Sequence, residues 1–169
     1  MHATIRFAWG ISSLGDFVVA MSEKGIVALE FSSMHTAMED ALRTRFPEAE
    51  LERSQEELAN VVEIVAGVID DPATDCDLPL DLRGTPYEVQ VWMMLREIPA
   101  GQTTNYGTPA TKLGSRDPRD VTAAIANNPI AVIVPCHRVI KKDGSISGYR
   151  WGVRRKRVLL AREQRAAEH

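Results

Sequence analysis

Three side chains with complementary chemistry stand in a row in the run AVIVPCHRVI, residues 131–140: the thiol of Cys136, the imidazole of His137 and the guanidinium of Arg138. A cysteine acts as a nucleophile only as its thiolate, and a free thiol has a pKa near ~8.5, so it needs a base or a cation close by. His137 supplies the first and Arg138 the second. Neighbours on a strand point to opposite faces, so a Cys136–His137 contact requires a turn or a bridging water. Pro135 is a place for the chain to leave a strand. An imidazole used as a base also wants a third group to orient it; Glu163, Asp143 and Asp120 are the candidates. The competing reading is a buried cysteine that acts as a small hydrophobe beside a satisfied histidine. A metal centre fits less well, because His2, His35, His137 and His169 are scattered and no C-x-x-C is present. A cysteine hydrolase would also need an oxyanion hole that the pattern does not supply.

The elements that position this run follow from periodicity and punctuation. TIRFAWG, DFVVAMS and IVALEFS read as short strands parted by Gly-containing turns, a small antiparallel sheet. HTAMEDALRTRF spaces Met38, Leu42 and Phe46 as a helix does, and SQEELANVVEIVAGVI does the same, with Ser54 and Glu57 as a capping box. The Asp- and Pro-rich stretch DDPATDCDLPLDLRGTP reads as a linker. It divides the chain into 1–80 and 81–169; the other reading is a long loop inside one domain. Beyond it, Thr85 and Pro86 open a helix whose inner face is Tyr87, Val91, Leu95 and Ile98. A short helix, TPATKLG, is capped by Thr108, and a further one is capped by Asp117 with Pro118 at its first turn and stopped by Asn127-Asn128-Pro129. The last two form a helix-turn-helix pattern. The outward residues of the second, Thr122, Ala123 and Ala126, are small enough to let a flat partner approach. AVIV is expected to be a buried strand, and RRKRVLLAREQRAAE a final helix with Val158, Leu159 and Leu160 inward and its basic residues outward.

Charge sorts along the chain. Residues 1–80 carry 5 basic and 15 acidic side chains, whereas residues 137–169 carry 10 basic and 3 acidic. This gradient points to a C-terminal part that faces phosphate or nucleic acid; a solvated basic helix is the plain alternative. With 44% hydrophobic and 25% charged residues, the composition is that of a globular protein. No apolar run reaches the ~20 residues of a membrane span, and MHATIRFAWG is not the pattern of a signal peptide. Two cysteines in unlike contexts, Cys76 and Cys136, are expected as free thiols in a reducing, cytoplasmic setting.

The run AVIVPCHRVI, with NP before it and GYRWGVRRKRVLLAREQ after it, resembles the active-site region of the O6-alkylguanine-DNA alkyltransferases, the methylated-DNA–protein-cysteine methyltransferases. The likeness extends back through LDLRGTPYEVQVWMMLREIPAGQTTNYG and is especially strong to the C-terminal half of bacterial adaptive-response proteins. The resemblance implies an α/β (α+β) chain, an RNase H-like N-terminal domain followed by a winged helix-turn-helix-like domain. It implies irreversible, stoichiometric transfer of an alkyl group from O6 of guanine, with O4 of thymine as a secondary substrate position, to Cys136, with no cofactor and no metal. His137 would draw the thiol proton through a water, and Glu163 would orient it. Arg119 would fill the space left when the base is flipped from the minor groove of double-stranded DNA. Thr122 and Ala123 would lie on the DNA face, and Tyr106 would contact phosphate and the flipped base. Asn128 would brace the site; Tyr149, Val139 and Arg150 would wall the base pocket; and Arg138 would pack rather than touch substrate. The protein would act as a monomer. Asp120 beside Arg119, Thr122 in place of a smaller residue and a loop at 115–118 one residue short depart from the family's pattern. They imply altered DNA docking rather than lost chemistry. A non-catalytic lesion sensor of the same fold would carry tryptophan where Cys136 stands. A regulatory half would need a cysteine cluster that this chain does not show.

Overall fold

The computed structural model describes residues 3–114 and 117–167. The N-terminal half is a four-stranded sheet, β1 (Ala3–Ser12), β2 (Gly15–Ser22), β3 (Gly25–Phe31) and β4 (Ala49–Arg53), in the order β3-β2-β1-β4. The three sequence-expected strands are present and antiparallel, joined by tight turns. β4 was not expected; it lies parallel to β1 at the edge. Alternation sends Phe17 and Val19 of β2 to one face and Val18 and Ala20 to the other. A bulge opposite Ala20 and Met21 absorbs Val27 as an extra residue, so Val27 and Ala28 both join the second face.

Helix α1 (His35–Arg45) covers that second face with Leu42, and helix α2 (Ala59–Asp70) covers the first with Val65, Val68 and Ile69. A Cβ on Gly10 would fall 2.7 Å from Val62, so glycine there lets α2 lie close on β1. The expected capping box of α2 is absent. The helix starts later, at Ala59 after Leu58, because Ser54 bonds back to Glu52 and Glu57 pairs with Arg6 instead.

The C-terminal half comprises α3 (Pro86–Leu95), β5 (Thr104–Asn105), α4 (Gly107–Lys112), α5 (Pro118–Ala126), β6 (Val139–Ile140) and α6 (Val153–Ala167). The capping box on α3 is complete: Thr85 accepts from the Glu88 amide and Glu88 accepts from the Thr85 amide. α4 is capped by Asn105 rather than Thr108, since the Asn105 carboxamide oxygen takes the Thr108 amide at 2.9 Å. Asp117 caps α5 as expected. Trp92 of α3 donates its indole N–H to Ala124 of α5, which locks the two helices together.

The free edge of β3 holds the two halves in register. Its Ile26 exchanges backbone hydrogen bonds with Pro79 and Asp81 of the connecting stretch, and its Leu29 exchanges them with Pro129 and Ala131. Gly25, at φ +150°, is needed here because a Cβ would meet the Pro79 carbonyl at 2.5 Å. One apolar cluster accordingly runs from Phe17 and Leu29 through Trp92 and Ile125 to Val134 and Leu159. The α/β class and the sheet-then-helix order agree with the sequence reading. No described helix is long and apolar enough to cross a membrane.

Candidate active site

The expected buried strand at 131–134 is a turn. Ile130 makes a single bridge to Leu29, and the chain then bends back on itself, with Val132 in the left-handed region at φ 65°. A β-branched residue there is strained by about 1–3 kcal/mol, and such strain persists only where surrounding contacts enforce it. Asn128 provides that enforcement. Its Oδ1 accepts the Ile130 amide at 2.9 Å, and its Nδ2 donates to the Val134 carbonyl at 2.9 Å and to Cys136 Sγ at 3.2 Å. The turn delivers Cys136–Arg138 as one turn of 3-10 helix directly after Pro135. Adjacent side chains therefore need not splay to opposite faces as they would on a strand.

His137 is fully buried, and its Nε2 faces Glu163 Oε1 of α6 at 2.5 Å. Of the three carboxylates considered, Glu163 is the one that meets the imidazole. Asp143 instead bonds Ser145, and Asp120 sits exposed in the first turn of α5. Arg138 grips both Glu163 oxygens through Nε, at 3.1 and 3.0 Å, and adds the Ile98 and Pro72 carbonyls through its two Nη atoms. Burial alone would push the Glu163 carboxyl up, but the hydrogen bonds from His137 and Arg138 outweigh it and hold it below its ordinary value. Burial likewise pushes His137 down, against the pull of Glu163. The pair at rest is thus carboxylate and neutral imidazole. With Nε2–H given to Glu163, Nδ1 is the basic nitrogen, and it is buried with no protein partner among the described residues.

Burial dominates the Cys136 thiol and pushes it up to about 11, against smaller downward pulls from the Asn128 hydrogen bond and the Lys156 charge. Lys156 was expected outward. Its side chain is buried, with Nζ donating to Ser147 Oγ at 3.0 Å and to the Gly148 carbonyl at 3.4 Å. Ser147 Oγ in turn lies 2.5 Å from the Tyr106 hydroxyl. The signal was in the periodicity. Lys156, Leu159 and Glu163 stand at i, i+3 and i+7, one inward stripe of α6. Val158 and Leu160 are only half-buried.

The other expected residues fall around this centre. Half-buried Tyr149 meets Trp151 edge-on at 5.3 Å, and its hydroxyl is held well above its ordinary value by burial first and by the nearby Cys136 second. Val139 is buried at the start of β6. The Arg150 side chain turns away as a strut, giving Nη1 to the Asn128 carbonyl at 2.8 Å and Nη2 to buried Glu30 of β3 at 2.8 Å. Thr122 and Ala123 are exposed on α5. Arg119 is also exposed, but Asp117 holds it through Nε at 3.1 and 3.0 Å and Nη2 at 2.8 Å. Asp117, rather than its neighbour Asp120, is the carboxylate that engages the arginine. Ser115 and Arg116 of the shortened 115–118 loop lie outside the described residues. Cys76 and Cys136 are free thiols, and no group of His, Cys, Asp and Glu among the described residues is placed to hold a metal.

Residues 86–165 match the family model of the 6-O-methylguanine DNA methyltransferase DNA-binding domain. The bifunctional transcriptional activator/DNA repair enzyme Ada of Escherichia coli is 39% identical over 96% of the chain, which spans about half (46%) of that curated relative's length. The inducible methylated-DNA–protein-cysteine methyltransferase of Bacillus subtilis is 34% identical, with 94% of this chain and 91% of that protein covered. Among solved structures, Mycobacterium tuberculosis OGT in complex with DNA superposes with a TM-score of 0.75 at 31% identity, covering 95% of this chain and 93% of the other.

Proposed function

Because the chain belongs to the methylated-DNA–protein-cysteine methyltransferase family, we propose that it repairs DNA by moving the alkyl group of an O6-alkylguanine onto Cys136, once per molecule. The observation that carries this reading is the 3-10 turn that sets the Cys136 thiol beside a neutral His137 backed by an ionised Glu163. In the reaction, His137 Nδ1 takes the thiol proton through a water, and Glu163 stabilises the imidazolium that results. The thiolate attacks the alkyl carbon in line; the S–C bond forms as the C–O6 bond breaks. The guanine anion leaves and takes up a proton, with the Tyr106 hydroxyl hydrogen-bonded to the base. The S-alkyl thioether is stable under these conditions and the thiol is not regenerated, so the protein is consumed.

The base must leave the duplex to reach a thiol this deeply buried. Arg119 on α5 fills the gap it leaves, Thr122 and Ala123 face the minor groove, and Tyr149, Val139 and the Arg150 backbone wall the pocket. Asn128 ties α5 to the reactive turn, and Arg138 positions Glu163. The protein acts as a cytoplasmic monomer, with its functional boundary at 80/81 in the connecting stretch.

Duplex DNA with one labelled O6-methylguanine, mixed with limiting protein, tests the reading by mass analysis of the Cys136 peptide. One equivalent of label on Cys136, and none after Cys136→Ser, is expected. Tight lesion binding without transfer would make the chain a sensor and overturn the repair assignment.

A further inference from the structure

We propose that Glu30, on the N-terminal sheet, is a positioning residue for alkyl transfer: it holds the Arg150 side chain so that two walls of the base pocket keep their places. Every residue of β3 is buried, and Glu30 is the one charged side chain in that strand. It stands opposite Val18, on the sheet face that α1 covers. Arg45 of α1 reaches one oxygen of the carboxylate, with Nη2 2.8 Å from Oε2. Arg150 comes over the free edge of the sheet to the other, with Nη2 2.8 Å from Oε1. Stability does not account for a carboxylate here, because packed apolar side chains often replace a buried ion pair at no cost. What the carboxylate secures is a guanidinium in a fixed place.

That place is a junction. Arg150 Nη1 donates to the Asn128 carbonyl at 2.8 Å, and Asn128 in turn holds the bend before Cys136 through Ile130, Val134 and Sγ. The same guanidinium lies 5.3 Å from the centre of the Trp151 ring, and Trp151 meets Tyr149 of the pocket edge-on. Arg150 therefore touches the brace of the reactive turn on one side and the pocket wall on the other. Next to Glu30 in β3, Leu29 exchanges backbone hydrogen bonds with Pro129 and Ala131. The strand thus holds the segment 128–131 twice, once by main chain and once through Arg150. Without the carboxylate, this long side chain regains rotamer freedom and the second hold is lost. The inference rests on the DNA-repair reading above.

The test is single-turnover transfer from a duplex with one O6-methylguanine, with protein in saturating excess so that the transfer step is read apart from binding. Glu30→Gln keeps the shape and removes the charge. Its first-order transfer constant is expected to fall by roughly 10- to 100-fold, as a displaced reactive geometry does. Its affinity for undamaged duplex is expected to stay within about twofold, since α5 is untouched. Arg45→Met disturbs the same carboxylate from the other side but leaves Arg150 paired, so it should keep the wild-type constant within about twofold whatever its Tm. Arg150→Met should show the loss by itself, and adding Glu30→Gln to it should lower the constant no further. Equal losses in the Glu30 and Arg45 variants would make the role merely structural, and wild-type transfer by Glu30→Gln would remove it; either overturns the proposal. If Glu30→Gln does not fold, the other two variants decide: loss in Arg150→Met alone supports the proposal, and loss in both or neither overturns it. Wild-type protein that binds the lesion and transfers nothing would sink the repair reading, and this inference with it.

Discussion

A thiol pushed up to about 11 by burial is protonated at neutral pH, so Cys136 is not a standing thiolate. The nucleophile has to be made when substrate arrives, by a base that is itself uncharged at rest. His137 meets that condition because burial holds it down and Glu163 occupies its Nε2. Iodoacetamide labelling of Cys136 is therefore expected to rise about tenfold per pH unit from 7 to 10 and to level only toward 11. A plateau below pH 8 would show a pre-formed thiolate and defeat the argument. Lys156→Gln removes a buried cation that pulls the thiol down, so its profile is expected to shift to higher pH, with several-fold slower labelling at pH 8. Cys136 and His137 were legible in the sequence because thiol and imidazole adjacency is itself chemical information. Glu163 became so only through the family resemblance, since three carboxylates were open on chemistry alone. Lys156 is hard to read as buried because a lysine ammonium ordinarily marks an exposed position, although its helical phase places it on the stripe of Leu159 and Glu163.

At the scale of elements, the N-terminus of α5 does two things with one residue. Asp117 caps the helix by accepting the Arg119 amide at 2.9 Å, and its carboxylate also restrains the Arg119 guanidinium. Binding DNA through Arg119 requires that second contact to be released. Asp117→Asn keeps a good cap and removes the charge, so duplex affinity is expected to rise about 3- to 10-fold at low salt with little change in Tm. Asp117→Ala loses the cap as well and is expected to cost about 1 kcal/mol of stability. Fluorescence anisotropy and thermal melting separate the two; an Asn variant that binds no better would show that the pairing does not restrain docking. Some caps and stops were readable at this scale: Thr85, Asp117 and the Asn127–Pro129 stop lie where the residues put them, whereas the Ser54–Glu57 box does not form and Asn105 takes the place of Thr108. The turn at 131–134 was not readable, because a short β-branched run has the same pattern in a strand and in a buried bend. What holds the bend is Asn128, through contacts with Ile130, Val134 and Cys136 that the apolar run itself does not encode. β4 was missed because AELER is a half-polar edge strand that alternates weakly and carries three charges.

The whole molecule is tied together at the β3 edge and at Glu30, which takes Arg45 from α1 and Arg150 from the pocket rim on one buried carboxylate. The sheet, the connecting stretch and the reactive turn therefore unfold as linked parts, and protonation of the site is felt as stability of the chain. Glu163 and His137 are both held below their ordinary values, 4.5 and 6.5, so over the acid range the unfolded chain binds protons that the folded chain refuses. Unfolding then takes up protons. The stability these groups contribute is complete above about pH 6.5 and falls as the pH drops, first through His137 and from about 4.5 through Glu163 as well, each by up to about 1.4 kcal/mol per pH unit. Cys136 acts at the other end. Its thiol ionises near 9.0 when unfolded and about 11 when folded, so unfolding releases a proton in that window and stability falls as pH rises through it. Urea denaturation from pH 4 to 10 is expected to give a maximum between about 6.5 and 9. Cys136→Ala should flatten the alkaline limb, and His137→Gln the part of the acid limb between 6.5 and 4.5. Because neither substitution touches the other's window, the two limbs separate cleanly. An acid limb of unchanged slope in the His137 variant would mean that the imidazole titrates in the fold as it does in water, and that the buried Glu163–His137 pair is not what ties stability to pH.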